Sequence, residues 1–303
     1  MIEIKNLTKR FDDVTAVDDV TAVIKEQSVF GLVGTNGAGK STTLRMIAGI
    51  LKPDSGNILV DGRPVFENAE VKKDLFYISD DRFFFMNDTP EDMQKFYKEI
   101  YDNFDSERFY KLLEGFNLSK DRKVRTYSKG MKKQLLVALA LSSNVKYILC
   151  DETFDGLDPM MRQAVKSLFA SDIKERGITP IIASHNLREL EDICDHVGLL
   201  HKGGILFSRE LDDMKLGIHK VQLVLSEGVG EDAFEGLDIA LKKKFGSVYT
   251  LTVRGSEDEI LEKLRGMETV FFEIVPLSLE EIFISETEVK GYDIKKLLDM
   301  EED

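Results

Sequence analysis

The octapeptide GTNGAGKS, Gly34 to Ser41, constrains this chain more than any other stretch. The apolar run SVFGLVG before it reads as a buried strand, and KSTTLRMIAGI after it places Leu44, Ile47 and Ala48 at helical intervals. Strand, glycine loop and helix open an α/β domain. The G-x-x-x-x-G-K-[ST] spacing then narrows the chemistry. Glycines allow the backbone N–H groups of Gly34, Thr35, Asn36, Gly37, Ala38 and Gly39 to converge on phosphate oxygens. The first helical turn, Lys40, Ser41 and Thr42, adds its positive end. Lys40 has the reach for β- and γ-phosphates, and the Ser41 hydroxyl is a ligand for Mg²⁺. A glycine turn with an incidental lysine would need neither the strand before it nor the helix after it.

A triphosphate site also needs a carboxylate on the metal side. YILCDE supplies Asp151 and Glu152 at the end of a second buried strand. Asp151 is suited to hold Mg²⁺ through water, and Glu152 to orient or deprotonate an attacking water. Composition argues against other partners. Lys+Arg 41 against Asp+Glu 55 gives a net charge of −14, so the chain has no general pull toward nucleic acid or anionic lipid. Cys150 and Cys194 lie in or beside apolar segments and form neither a disulfide framework nor a metal cluster. No apolar run approaches the roughly 20 residues that span a bilayer. The start, MIEIKNLTKR, lacks an apolar signal core. The expectation is a cytoplasmic protein with no direct membrane span.

Residues 1 to about 30 read as short strands, with VTAVDDVTAVI as two valine-rich pieces. Residues 88–142 change character. There TPEDMQKFYKEIYDNF, SERFYKLLEGF and KGMKKQLLVALAL predict a helical subdomain set into the α/β fold. Strands and helices then alternate through YILCDE, PMMRQAVKSLFASDIKERG, TPIIASH, NLRELEDICDH and VGLLH. Beyond residue 216 come strand-like KVQLVL, DIALKKKFG, VYTLTVRG and VFFEIV, with helical SEDEILEKLRGM and SLEEIFISE. The predicted organisation is a domain over 1–216 and a small α+β domain over 217–303. The tail GYDIKKLLDMEED is expected to fray.

Taken in order, these motifs resemble the nucleotide-binding subunit of ATP-binding cassette (ABC) transporters over residues 1 to about 215. The resemblance implies a P-loop NTPase cassette: a mixed sheet with a RecA-like core, an antiparallel β subdomain and a helical subdomain. It implies an ATPase that powers transport through a separate transmembrane permease, held on the inner face of the cell membrane by that permease. Gly34–Ser41 is then the Walker A loop, Tyr147–Asp151 the Walker B strand and Glu152 the catalytic glutamate. His185, in IIASHN, is similar to the switch histidine that meets the γ-phosphate. Phe11 stands where the family has an aromatic residue, commonly tyrosine, on adenine, and Val17 joins it in the nucleotide site. Asp158, in FDGLDP, is expected to face a partner cassette. The Q-loop glutamine aligns with Asp80, or its neighbour Asp81, a shorter and charged side chain that can still reach a metal through water. Just beyond it the family docks its permease, so Phe83–Phe85 and Met86 form either that surface or plain core. The segment PLSLEEIFI resembles the end of exporter-type subunits and alone carries the lean toward export.

YSKGM, Tyr127–Met131, matches the family's LSGGQ signature. It keeps Ser128 and Gly130 and has Lys129 for the first glycine, so that position should not need positive φ. In the family each ATP lies between Walker A of one cassette and the signature of another. This chain has one of each and so needs a second cassette. Lys129, Lys132 and Lys133 crowd the start of a helix, the wrong end for cations. A partner's ATP against Ser128, Lys129, Gly130 and Met131 would resolve that conflict. Two rivals stand beside this reading: an ABC ATPase acting on nucleic acid, and a ligand-sensing C-terminal domain that uses the cassette as a switch.

Overall fold

The computed structural model describes residues 1–80, 87–275 and 277–289. Asp81, Phe83–Phe85, Met86 and the tail from residue 291 lie outside the described residues. The chain divides into two compact units, Met1–Ser208 and Arg209–Asp303.

The first unit opens with β1 (Ile2–Phe11) and β2 (Val14–Ile24), an antiparallel pair. VTAVDDVTAVI is thus one strand, not two pieces. Asn6 and Asp19 take φ 48 and 47, and the register shifts around them absorb the irregularity. The Asn6 amide donates to Asp19 Oδ1 at 2.9 Å and closes that bulge. Next come β3 (Phe30–Val33), α1 (Lys40–Ile47), β4 (Ser55–Val60), β5 (Arg63–Pro64), α2 (Ala69–Lys72) and β6 (Leu75–Ile78). The first sheet has the order β2-β1-β4-β5.

Three helices follow: α3 (Pro90–Ile100), α4 (Ser106–Gly115) and α5 (Lys129–Ser142). Thr89 and Asp92 form a capping box on α3, with Pro90 in its first turn, and Asp105 caps α4. Leu135–Leu141 of α5 are buried on every face, which is why that helix reads as a continuous apolar run. The α/β pattern resumes with β7 (Tyr147–Asp151), α6 (Pro159–Arg176), β8 (Thr179–Ser184), α7 (Leu187–Glu191), β9 (His196–His201) and β10 (Gly204–Glu210). The second sheet has the order β10-β9-β3-β8-β7-β6, and β3, β7 and β8 are buried along their whole length. Both faces of a parallel sheet are covered, hence their largely apolar sequences. NLRELEDICDH gives a helix only over Leu187–Glu191. Asp195 stops it, accepting the Val29 N–H at 2.7 Å and donating its own to the Val29 carbonyl at 3.0 Å, which draws the chain into β9.

The second unit contains α8 (Leu211–Leu216), β11 (Ile218–Leu225), β12 (Asp238–Phe245), β13 (Val248–Arg254), α9 (Glu257–Arg265), β14 (Thr269–Val275) and α10 (Leu279–Val289). Its antiparallel sheet runs β12-β13-β11-β14. Val221, Leu223, Leu251 and Val253 pack with Ile260 and Leu264 of α9 and with Phe234 to form its core. Ser256 and Glu259 make the capping box that the serine and acidic first turn predict. Within this unit α8 packs with β11. Lys242–Lys244 lie exposed on the edge strand β12.

Candidate nucleotide site

Parallel register sets the strand ends side by side. Val33 pairs with Ser184, Asp151 with Ala183 and Ile78 with Cys150. Gly34, His185, Glu152 and Asp80 therefore leave the sheet along one carboxyl edge, where open α/β sheets bind ligands. Between β3 and α1 the loop turns on Gly39 at φ 100, and a Cβ there would stand 2.3 Å from the Ala16 carbonyl. Thr35, Asn36 and Gly37 are exposed along the loop, and Ala38 is buried beneath it. Ser41 and Thr42, in the first turn of α1, are half-buried.

Two clusters form around this loop. In the first, Ser41 donates to Asp151 Oδ1 at 2.9 Å and Tyr77 donates to Asp151 Oδ2 at 2.9 Å. Asp151 is 1% exposed, so both carboxylate oxygens depend on protein donors. Burial, with the Asp151 charge beside it, pushes the Tyr77 phenol up to about 12. In the second cluster, Lys40 is buried and donates to the Gly34 carbonyl at 2.6 Å and the Thr35 carbonyl at 3.2 Å. Burial draws its ammonium below the usual value, opposed by Glu152, whose Oε1 is 3.6 Å away. Glu152 Oε2 is 3.0 Å from His185 Nδ1. An ionised carboxylate only accepts, so that bond requires the proton on Nδ1. Asp155 completes the group, with one ligand atom each from Glu152, Asp155 and His185 lying within 4.8 Å of one another.

Glu152 takes φ 47, a left-handed angle that costs about 1–2 kcal/mol outside glycine. Strain of this kind collects at working sites.

Phe11 ends β1 with 44% exposure and the Lys9 ammonium 5.4 Å from its ring centroid. Val17 is fully buried, with its side chain beside Gly39 of the loop. Ser128 caps α5, its hydroxyl accepting the Met131 N–H at 3.2 Å. Lys129 is the exposed first residue of α5 and does not have positive φ. Gly130 has a reason within its own chain, since a Cβ there would come to 2.9 Å from the Gly156 carbonyl. Asp158 is exposed and caps α6, accepting the Met161 N–H at 2.9 Å. Of the three lysines at the start of α5, Lys133 turns inward. It is 1% exposed, donates to the Glu152 carbonyl and pairs with Asp80 at 3.8 Å. That corrects the idea that all three answer a partner's anion. Tyr77 and Asp155 escape sequence reading, as does the inward turn of Lys133; the short apolar run LFYI was the available signal for Tyr77.

A family model described as "ABC transporter" matches residues 17–155. The ABC transporter ATP-binding protein YtrB of Bacillus subtilis (strain 168) is 31% identical over 285 residues, covering 94% of this chain and 97% of that one. This chain belongs to the ABC transporter ATP-binding family. The bacitracin transport ATP-binding protein BcrA of Bacillus licheniformis is 34% identical over 218 residues, 71% of each chain. A solved structure titled "Structure of ATP binding subunit of ABC transporter" superposes with a TM-score of 0.66 at 26% identity, covering 71% of this chain and 92% of that one. The fold is accordingly the P-loop cassette, and the protein is an ABC ATPase that powers transport. The YtrB match takes in most of the second unit as well, so that unit is shared with a relative of similar length. Among the described residues no helix of this ABC subunit is long and apolar enough to cross a membrane.

Proposed function

We propose that this ABC ATPase hydrolyses MgATP between two cassettes and drives export through a separate permease. The observation that carries the reading is the convergence of Lys40, Ser41, Asp151, Glu152 and His185 at one sheet edge, with Glu152 held between His185 and Lys40. The donors fit Mg²⁺: a hydroxyl and a carboxylate oxygen 2.9 Å apart are hard oxygen ligands. Ser41 and Asp151 would hold the ion, and Mg²⁺ would offset charge on the β- and γ-phosphates. Glu152 orients and deprotonates the attacking water. His185 fixes that carboxylate and meets the γ-phosphate, Lys40 binds the terminal phosphates, and the loop N–H groups from Gly34 to Thr42 surround them. Phe11 offers its face to adenine. Ser128, Lys129, Gly130 and Met131 meet the γ-phosphate of the partner cassette's ATP, and Asp158 lies at that junction.

Export is the direction supported by relatives' names, since a lipopolysaccharide export ATP-binding protein of Haemophilus influenzae is 30% identical over 67% of this chain. For the permease we assign a groove of about 500 Å³ lined by Ile50, Phe76, Tyr97, Ile100 and Tyr101. Its rim leaves Ile50 57% and Ile100 42% exposed, apolar area suited to a helix end. Through that contact the subunit would sit on the inner face of the membrane.

Glu152→Gln tests the reading. Turnover should fall by about 10²–10⁴-fold, the range for loss of a general base, and ATP should trap a dimer. Wild-type turnover in Glu152→Gln would refute the role of Glu152.

A further inference from the structure

One charged side chain lies under the proposed centre and has no part in that scheme. Lys133 of α5 is 1% exposed. It is the fifth residue of α5, just past the first turn. A buried ammonium is costly unless it is paired and hydrogen-bonded, and an apolar side chain would pack there more cheaply. Stability alone is therefore a poor reason for a lysine at this position.

Its contacts point to the reaction. The Glu152 peptide leaves β7 at φ 47, after its N–H has paired with the Ala183 carbonyl at 3.0 Å. The Glu152 carbonyl then accepts the Asp155 N–H at 3.3 Å and the Lys133 ammonium. Two donors on one carbonyl fix the peptide that carries the catalytic side chain. Any rotation of that peptide would shift the carboxylate from His185 Nδ1 at 3.0 Å and Lys40 Nζ at 3.6 Å. The same ammonium reaches Asp80 Oδ1 at 3.8 Å, at the carboxyl end of β6.

We propose that Lys133 is a positioning residue for ATP hydrolysis: it locks the Glu152 peptide, and its ion pair with Asp80 links that lock to the end of β6. The proposal rests on Glu152 as the base. Asp80, expected from sequence as a metal ligand, acts in this scheme through Lys133.

The experiment compares MgATP hydrolysis by the full chain and its variants Lys133→Met, Lys133→Arg, Asp80→Asn and the Lys133→Met/Asp80→Asn double variant. Displacing a reacting group by about an ångström costs on the order of 10²-fold. Lys133→Met should therefore lower kcat about 10- to 100-fold while KM for MgATP stays within about threefold. Lys133→Arg, which keeps charge and donor, should recover most of the rate. Asp80→Asn should lower kcat severalfold in the wild-type background and add nothing to Lys133→Met. Wild-type kcat in Lys133→Met, or an equal loss in Lys133→Arg and Lys133→Met, overturns the positioning role. Additive effects of the two substitutions overturn the link to Asp80. If Lys133→Met does not fold, Asp80→Asn with unchanged kcat overturns the link and Lys133→Arg with a methionine-sized loss overturns the lock. Glu152→Gln measured alongside separates the two levels, because wild-type turnover there removes the base itself and not its support.

Discussion

Replacing Tyr77 by phenylalanine isolates one atom of the site. The ring keeps its place in β6, and only the hydroxyl that donates to Asp151 Oδ2 at 2.9 Å is lost. Asp151 is 1% exposed, so water does not readily replace that donor. A hydrogen bond to a charged group is worth about 1.5–3 kcal/mol. Losing it frees the carboxylate to rotate away from the geometry set jointly by Tyr77 and Ser41, whose hydroxyl is 2.9 Å from the other oxygen. Partners that orient a metal ligand typically account for 10- to 100-fold in metal affinity, about 1.4–2.8 kcal/mol, the same range as the lost bond. The assay is ATP hydrolysis titrated with free Mg²⁺, beside a urea midpoint to record stability. Half-saturating Mg²⁺ should rise about 10- to 100-fold, and kcat at saturating Mg²⁺ should stay within about threefold. Because burial holds the Tyr77 phenol up to about 12, the shift should be the same at any pH from mildly acid to mildly alkaline. Unchanged Mg²⁺ dependence in Tyr77→Phe would refute the claim that this hydroxyl orients Asp151.

Lys40 gives a pH test. Burial lowers its folded pKa below the ordinary 10.5, so between that lowered value and 10.5 the unfolded chain binds more protons. Stability from this group therefore rises with pH across that window, and the wild-type gain in urea midpoint on going alkaline should exceed that of Lys40→Met. An identical pH response in the two proteins would show that Lys40 carries no such linkage. Lys129→Ala should weaken ATP-dependent dimerisation about three- to tenfold by removing an exposed cation from the partner's phosphate. Unchanged dimerisation, read by size-exclusion chromatography with Glu152→Gln as background, would place Lys129 in solvent.

How much of this was legible in the sequence follows from the range of each interaction. The phosphate loop is local: strand, glycines, lysine and helix are contiguous, and the structure keeps them together from Phe30 to Ile47. The same holds for the capping box at Ser256 and the buried runs of β7 and β8. Short edge elements were harder. β6 has four residues, too few for a period to declare itself, and with it went Tyr77. The helix predicted over NLRELEDICDH ends at Glu191 because of Asp195 and Val29, partners distant in the chain.

The sequence by itself determined the family-level chemistry, because backbone cradle, lysine and strand-end carboxylates are each encoded by a short motif with its own local reason. Only the tertiary structure decided what each charge does. It sent Lys133 inward to Glu152 while Lys129 faces out, buried Val17 beside Gly39, and set Tyr77 against Asp151. Those outcomes depend on which strand ends and helix faces meet across long stretches of chain, and on the rule that a buried charge or hydroxyl must find its partner there.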